Sequence, residues 1–262
     1  MFQGFNIKYP EYEVITPQTG LSFNVRSLNV QEEERLKGSL LTPAKINEHL
    51  NKCLFDACAK KPKDVTTYDD FLKKVTLKDR DALLYGLYHI TYEEIRNYDV
   101  TCNSCSKDYP VTIKASDTFG MNPYPGDDIL TKSVQAELPI SKGVFASIKQ
   151  PTLFDEMVAL KSAGVGTSTK IDILTETLII QSFQQNPEEG GDSAVYSDRD
   201  DVIDAYRTLP AKDKRAIYAK YRSEFGQYGI TLKMITNCAF CAHEEELDID
   251  LVENFFRMVH SV

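Results

Sequence analysis

Polar and apolar residues alternate through Leu21-Ser22-Phe23-Asn24-Val25-Arg26, directly after Gly20, which predicts a strand entered through a glycine turn. A short extended run at Tyr12–Thr16 precedes it, so the two read as a hairpin. The same arrangement returns 123 positions later, where Gly143 leads into Val144-Phe145-Ala146-Ser147-Ile148-Lys149 behind the run Ser133–Leu138. Val25 then falls on Ile148 and Arg26 on Lys149. Both hairpins lead into a helix through one kind of signal. Asn29 with Glu32, and Thr152 with Asp155, set a cap residue three positions ahead of an acid, the spacing at which each can bond the other's backbone N–H. Leu36 and Leu40 supply apolar positions of the first helix, Met157 and Leu160 those of the second. Longer helices are expected over about Pro43–Ala59 and about Ser168–Gln185. In the former, Ile46, Leu50, Cys53, Leu54 and Ala57 share one stripe, and Cys53 and Cys58 read as core filler.

A further block, Asp70–Leu83, matches Asp204–Ile217 at an offset of 134, and each predicts a short helix, a turn and a second helix. At an offset of 136, Cys102-Asn103-Ser104-Cys105 matches Cys238-Ala239-Phe240-Cys241. Each Cys-x-x-Cys knuckle runs on into an alternating strand, Val111–Lys114 in one case and Leu247–Asp250 in the other. The growing offset implies insertions in the second copy. The largest falls at Gln185–Asp198, a polar stretch with Pro187, Gly190 and Gly191 that reads as a surface loop. Asp117–Asp128, with Gly120, Pro123, Pro125 and Gly126, reads as a linker. The order of elements therefore predicts an α+β chain of two related helix-rich halves, 1–117 and 133–262, on either side of a linker at 118–132.

The two knuckles carry the chemistry. Four thiolates complete a tetrahedral Zn²⁺ shell, and a cysteine knuckle followed by a strand is half of a zinc ribbon. Cys102, Cys105, Cys238 and Cys241 are thus the expected ligands of one shared structural zinc, although 132 residues separate the two pairs. That separation is no obstacle. Lengthening a closing loop from about 15 to about 130 residues costs roughly 2 kcal/mol, because closure entropy grows only logarithmically. Structural zinc contributes on the order of 10–16 kcal/mol. The alternatives are a redox pair, two knuckles without metal, or two separate sites completed by other ligands such as His243 and His260. Four thiolates leave no open coordination position, so the zinc reads as structural and not catalytic.

Nothing else in the chain forms a reactive constellation. Ala163–Lys170 is glycine-bearing but lacks the spacing of a phosphate-binding loop. Glu32-Glu33-Glu34 fits a helix N-terminus, where negative charge is favoured, and Glu244-Glu245-Glu246 reads as a solvated face. No enzyme is expected. Composition narrows the class further. With 42% hydrophobic and 26% charged residues among 262, the chain is expected to be a soluble globular protein. No apolar run approaches the ~20 residues of a membrane span. Met1–Asn6 lacks the cationic and apolar stretches of a signal peptide, so the cysteines are expected in a reducing cytoplasm. A net charge of −9 argues against nucleic acid as a primary partner.

The run Val14–Leu36 combines a Pro-x-x-Gly turn (Pro17–Gly20), a strand ending in Arg26 and a helix start at Glu32-Glu33-Glu34. It resembles the N-terminal signature of the T-even-type bacteriophage baseplate hub assembly proteins. The likeness continues through Asp79-Arg80-Asp81 and Tyr88 to Tyr98–Cys105, over roughly the first 115 residues. The resemblance implies a non-enzymatic component or assembly factor of a contractile phage tail, acting at the baseplate hub. Its partners would be other hub and tail proteins or the tape-measure protein. It would work in the host cytoplasm during assembly or stay in the virion tail. The competing readings are a nucleic-acid-binding zinc-ribbon regulator and a thiol oxidoreductase. Arg26 and Lys149, at matching strand ends, are expected either to face a partner or to pair locally with Glu32 and Asp155.

Overall fold

A computed structural model describes residues 8–37, 43–92, 95–114, 119–163, 168–186 and 194–248. Both expected hairpins are present. Strand β1 (Glu11–Ile15) pairs antiparallel with β2 (Ser22–Arg26), and Gly20 turns between them at φ 65°, a left-handed backbone that favours glycine. In the second hairpin β7 (Ser133–Glu137) pairs with β8 (Val144–Lys149), and Gly143 holds φ 76°. Each hairpin gains a third strand where the sequence pattern predicts the end of a helix. The chain leaves α2 (Pro43–Ala57) to form β3 (Cys58–Lys60) on β2. It leaves α6 (Ser168–Glu176) through one 3₁₀ turn to form β9 (Ile180–Gln185) on β8. Apolar side chains decide both departures: Cys58 and Ile180 are buried beside Val25 and Ile148. Both third strands slip register at one place, between Asn24 and Val25 and between Ser147 and Ile148, again 123 positions apart. The second sheet also carries an edge strand, β10 (Ala194–Tyr196), inside the stretch expected to be loop, giving the order β10-β9-β8-β7. Residues 187–193 of that stretch lie outside the described residues, as does Leu40.

Helices α1 (Val30–Lys37) and α5 (Leu153–Ala163) start as the sequence indicated. Asn29 and Glu32 each accept the other's backbone N–H, and Thr152 and Asp155 do the same. The helix pairs that follow are α3 (Tyr68–Lys74) with α4 (Leu77–Tyr92), and α7 (Arg199–Thr208) with α8 (Ala211–Tyr221). Gly86 lets α4 lie against β1, since a Cβ there would collide with Val14. One aspartate on each second helix holds a hairpin turn. Asp79 accepts hydrogen bonds from the Gln18 N–H and Thr19 Oγ1 at 2.8 Å each. Asp213 accepts them from the Ile140 N–H at 2.7 Å and from the Ser141 N–H and Oγ at 3.0 and 2.7 Å.

Two main cores result. The first gathers Phe23, Val25, Leu50, Leu54, Phe71, Leu83 and Leu87; the second gathers Ile148, Phe183, Val202, Tyr206, Ile217 and Phe225. They interlock, because the start of α5 enters the first core with Leu153 and Met157. Thr76 and Thr152 form an antiparallel bridge there. The Leu153 N–H donates to the Val75 carbonyl at 3.0 Å and the Leu77 N–H to the Pro151 carbonyl at 3.3 Å. Beside it the buried Arg80 guanidinium grips both Glu156 carboxylate oxygens at 2.5 and 3.2 Å. Gln18 adds a second tie, donating to the carbonyls of Phe225 and Tyr228. Strand β6 (Phe119–Asn122), within the segment read as linker, pairs with β11 (Gly229–Asn237). The structure is thus mixed helix and antiparallel sheet, as an α+β assignment requires.

Candidate metal centre

Two hairpins carry the cysteines. Strand β4 (Ile95–Thr101) pairs with β5 (Asp108–Lys114), and β11 pairs with β12 (Glu244–Asp248). Each knuckle is a tight reversal closed by the same backbone bonds. In the first, the Cys102 N–H donates to the Lys107 carbonyl at 3.1 Å and the Ser106 N–H to the Cys102 carbonyl at 2.8 Å. In the second, Cys238 donates to His243 and Ala242 to Cys238, both at 2.9 Å. Ser106 (φ 56°) and Ala242 (φ 57°) hold left-handed backbone without being glycine, a conformation that costs energy and turns each knuckle back on itself. The Ser104 and Phe240 N–H groups point at the Cys102 and Cys238 Sγ atoms, 3.4 Å away in each case.

The four sulfurs converge on one place. Cys102 Sγ lies 3.7 Å from Cys241 Sγ, Cys105 Sγ lies 3.7 Å from Cys238 Sγ, and all four lie within 4.8 Å of one another. A tetrahedron with Zn–S bonds of about 2.3 Å has edges of about 3.8 Å, so the donor set fits a metal that takes four thiolates. Among the described residues no other group of His, Cys, Asp or Glu is placed to hold a metal. His243 contributes its carbonyl to the knuckle, and His260 lies outside the described residues. Cys238 ionises readily: burial opposes it, but the Phe240 and Cys241 N–H groups and neighbouring thiols bring its pKa down to about 7. The Lys107 N–H favours the Cys105 thiolate, yet burial and the three surrounding thiols push that pKa up to about 12. One ready thiolate among crowded thiols is a site that a dication would deprotonate on binding. Cys53 and Cys58 stand apart: burial holds both near a pKa of about 12, which makes them inert core residues.

Around the sulfurs is a small core of Tyr109, Val111, Val100, Met234 and Leu247. Glu245, expected on a solvated face, is 9% exposed and accepts a hydrogen bond from the Asn103 side-chain amide across the two hairpins. The run of three glutamates hid it, because strand alternation turns the middle one inward while Glu244 and Glu246 stay out. Lys107 lies over the exposed Phe240 ring, 4.9 Å from its centroid, a further link between the knuckles. Arg26 and Lys149 take the local option. Arg26 pairs with Glu32 at 2.6 Å and Lys149 with Asp155 at 2.8 Å.

A family model described as T4 bacteriophage base plate protein matches residues 9–257, nearly the whole chain. No curated protein and no solved structure matches.

Proposed function

Given that the chain belongs to the T4 bacteriophage base plate protein family, we propose that it is a non-enzymatic component of the baseplate hub, built as two related halves closed by one structural zinc. Residues 1–117 and 133–262 are the halves, and 118–132 joins them. The recurring devices support this reading: two glycine turns, two register slips, two reciprocal caps, two aspartate-held hairpins and two knuckles follow in one order. The observation that carries it is the convergence of Cys102 and Cys105 with Cys238 and Cys241, one pair from each half. The core around the sulfurs is too small to hold two hairpins together by apolar burial alone. Zinc bound there would supply that hold, fixing the relative orientation of the halves. The partners are other hub and tail proteins, the tape-measure protein among them, met first in the host cytoplasm and then in the virion tail. The net charge of −9 disfavours the nucleic-acid-binding alternative.

Two measurements test the proposal. Elemental analysis of protein purified without chelator should give about one Zn²⁺ per chain, since four thiolates make one shell; two per chain, or none, overturns the shared site. Affinity purification from cells making tail proteins should bring down hub components; recovery of nucleic acid in their place overturns the hub role.

A further inference from the structure

The docking of α5 on the first half is one-sided. The α5 start (Pro151–Leu153) docks on the α3–α4 turn (Val75–Leu77), and Glu156 meets Arg80. At the repeat offsets, the α5 start corresponds to Leu28–Val30 at the start of α1, and the α3–α4 turn to Leu209–Ala211 between α7 and α8. Among the described residues no backbone hydrogen bond joins those two sites. The backbone groups that make the internal bridge have counterparts in the Val30 N–H, the Leu28 carbonyl, the Ala211 N–H and the Leu209 carbonyl. Among the described residues none of these has a backbone partner. Val30, the counterpart of the fully buried Leu153, is 69% exposed. The charges also correspond, Glu33 to Glu156 and Lys214 to Arg80. Pro210 replaces Thr76, whose N–H the bridge does not use.

We infer that a second copy of this chain docks head to tail, its α1 start seating on the α7–α8 turn as α5 seats on the α3–α4 turn within the chain, with Glu33 of one copy against Lys214 of the next. The inference rests on the two-repeat reading. The occupant is another copy because the α1 start matches the element that already fills the equivalent seat. Glu33 now accepts a hydrogen bond from the Tyr92 hydroxyl through one carboxylate oxygen, and the Lys214 ammonium lies 4.4 Å from the Tyr206 ring centroid. Neither group is held in a salt bridge among the described residues. A contact between two different surfaces leaves each copy with one of each unused, so it propagates into a ring or a short filament.

Sedimentation of the full zinc-loaded chain over a concentration series tests this. The chain should associate, and Glu33→Lys or Lys214→Glu alone should weaken association at least about tenfold by setting like charges together. Mixing the two single variants should restore it, because each then offers the charge the other lacks. Val30→Asp should weaken it too without moving the thermal midpoint. A chain that stays monomeric, or one whose association ignores both charge reversals, overturns the inference. So does a tail protein other than this chain found at Val30 by cross-linking. Zinc content reports separately on the two-repeat reading: one metal per chain in a monomeric protein would leave that reading standing and remove only the self-association.

Discussion

Asp79 and Asp213 do one job in two settings. Both are fully buried and both hold a hairpin turn from the first turn of a helix. Burial dominates at Asp79 and raises its pKa above the ordinary carboxylate value, despite the donors from Gln18, Thr19 and Thr76. At Asp213 burial also opposes the charge, but the Ile140 and Ser141 donors outweigh it and the pKa is lowered. The first turn is pressed against the segment Phe225–Tyr228 through Gln18, whose amide reaches the Phe225 and Tyr228 carbonyls, and so loses its water. The second turn ends on the exposed Ile140 and keeps solvent nearby. The same local device thus survives while its electrostatics follow what packs on top. The docking faces differ in the same way: Leu153 is buried in the neighbouring core and its counterpart Val30 stands in solvent.

The largest effect should come from the knuckles, where the halves are proposed to depend on each other most. Cys102→Ser and Cys238→Ser should each abolish metal retention and lower thermal stability by similar amounts, and the double variant should cost little more than one. Additive losses in melting and metal analysis would separate the two knuckles again. Next comes the docked helix start. Leu153→Ala should cost about 2–5 kcal/mol in denaturant unfolding, the range for emptying a packed core site, while Val30→Ala should cost almost nothing. Equal costs would mean that exposure does not distinguish the two helix starts.

The legible part of the fold was what local chemistry dictates. A glycine at positive φ, a cap with an acid three residues on, and a cysteine knuckle each need particular residues at fixed spacing, so they stood out at Gly20 and Gly143, at Asn29 and Thr152, and at the four cysteines. Strands β3 and β9 did not. Cys58–Lys60 is too short to show a period, and Leu178–Ile180 is an apolar run that fits helix or strand until Ile148 is beside it. Strands β6 and β10 exist only through their partners. The aspartate latches fell at matching positions in the aligned blocks, but their role depends on turns 60 and more residues away, which spacing along the chain does not reveal. At the cysteine cluster the four converging cysteines were legible, and Glu245 and Tyr109 behind them were not.

The aspartates give the third prediction, and its sign differs between them. A lowered folded pKa means that Asp213 contributes stability above the ordinary carboxylate pKa and loses it as the pH falls through the folded value. Asp213→Asn should therefore cost about 1–3 kcal/mol at neutral pH, and the deficit should shrink below about pH 4. A raised folded pKa works the other way. Charged Asp79 weighs against the fold at neutral pH and is relieved as it protonates, so the wild type gains on Asp79→Asn as the pH falls toward about 4. The deficit of that variant should be the smaller at neutral pH and grow with acid. Denaturant titrations of both variants across the range decide it, and parallel pH profiles would show that the two latches share one environment after all.

The smallest effects should come from the matched strand-end cations. Arg26 holds Glu32 through two nitrogens and also reaches the Ser27 carbonyl, with both partners largely shielded. Lys149 makes one bond to Asp155, and its pair is more exposed. Arg26→Ala should cost about 1 kcal/mol, because Glu32 keeps the Asn29 N–H but loses a bidentate partner, and Lys149→Ala only a few tenths. The order matters more than the size. Raising the salt should erase the Lys149 difference before the Arg26 one, since exposed pairs are screened first. Both variants should support normal yields of infectious tails, because each cation is already held in a salt bridge by its local acid. A stable Arg26→Ala chain that fails in tail assembly would move the working surface back to the hairpin ends and make the local pair a resting state.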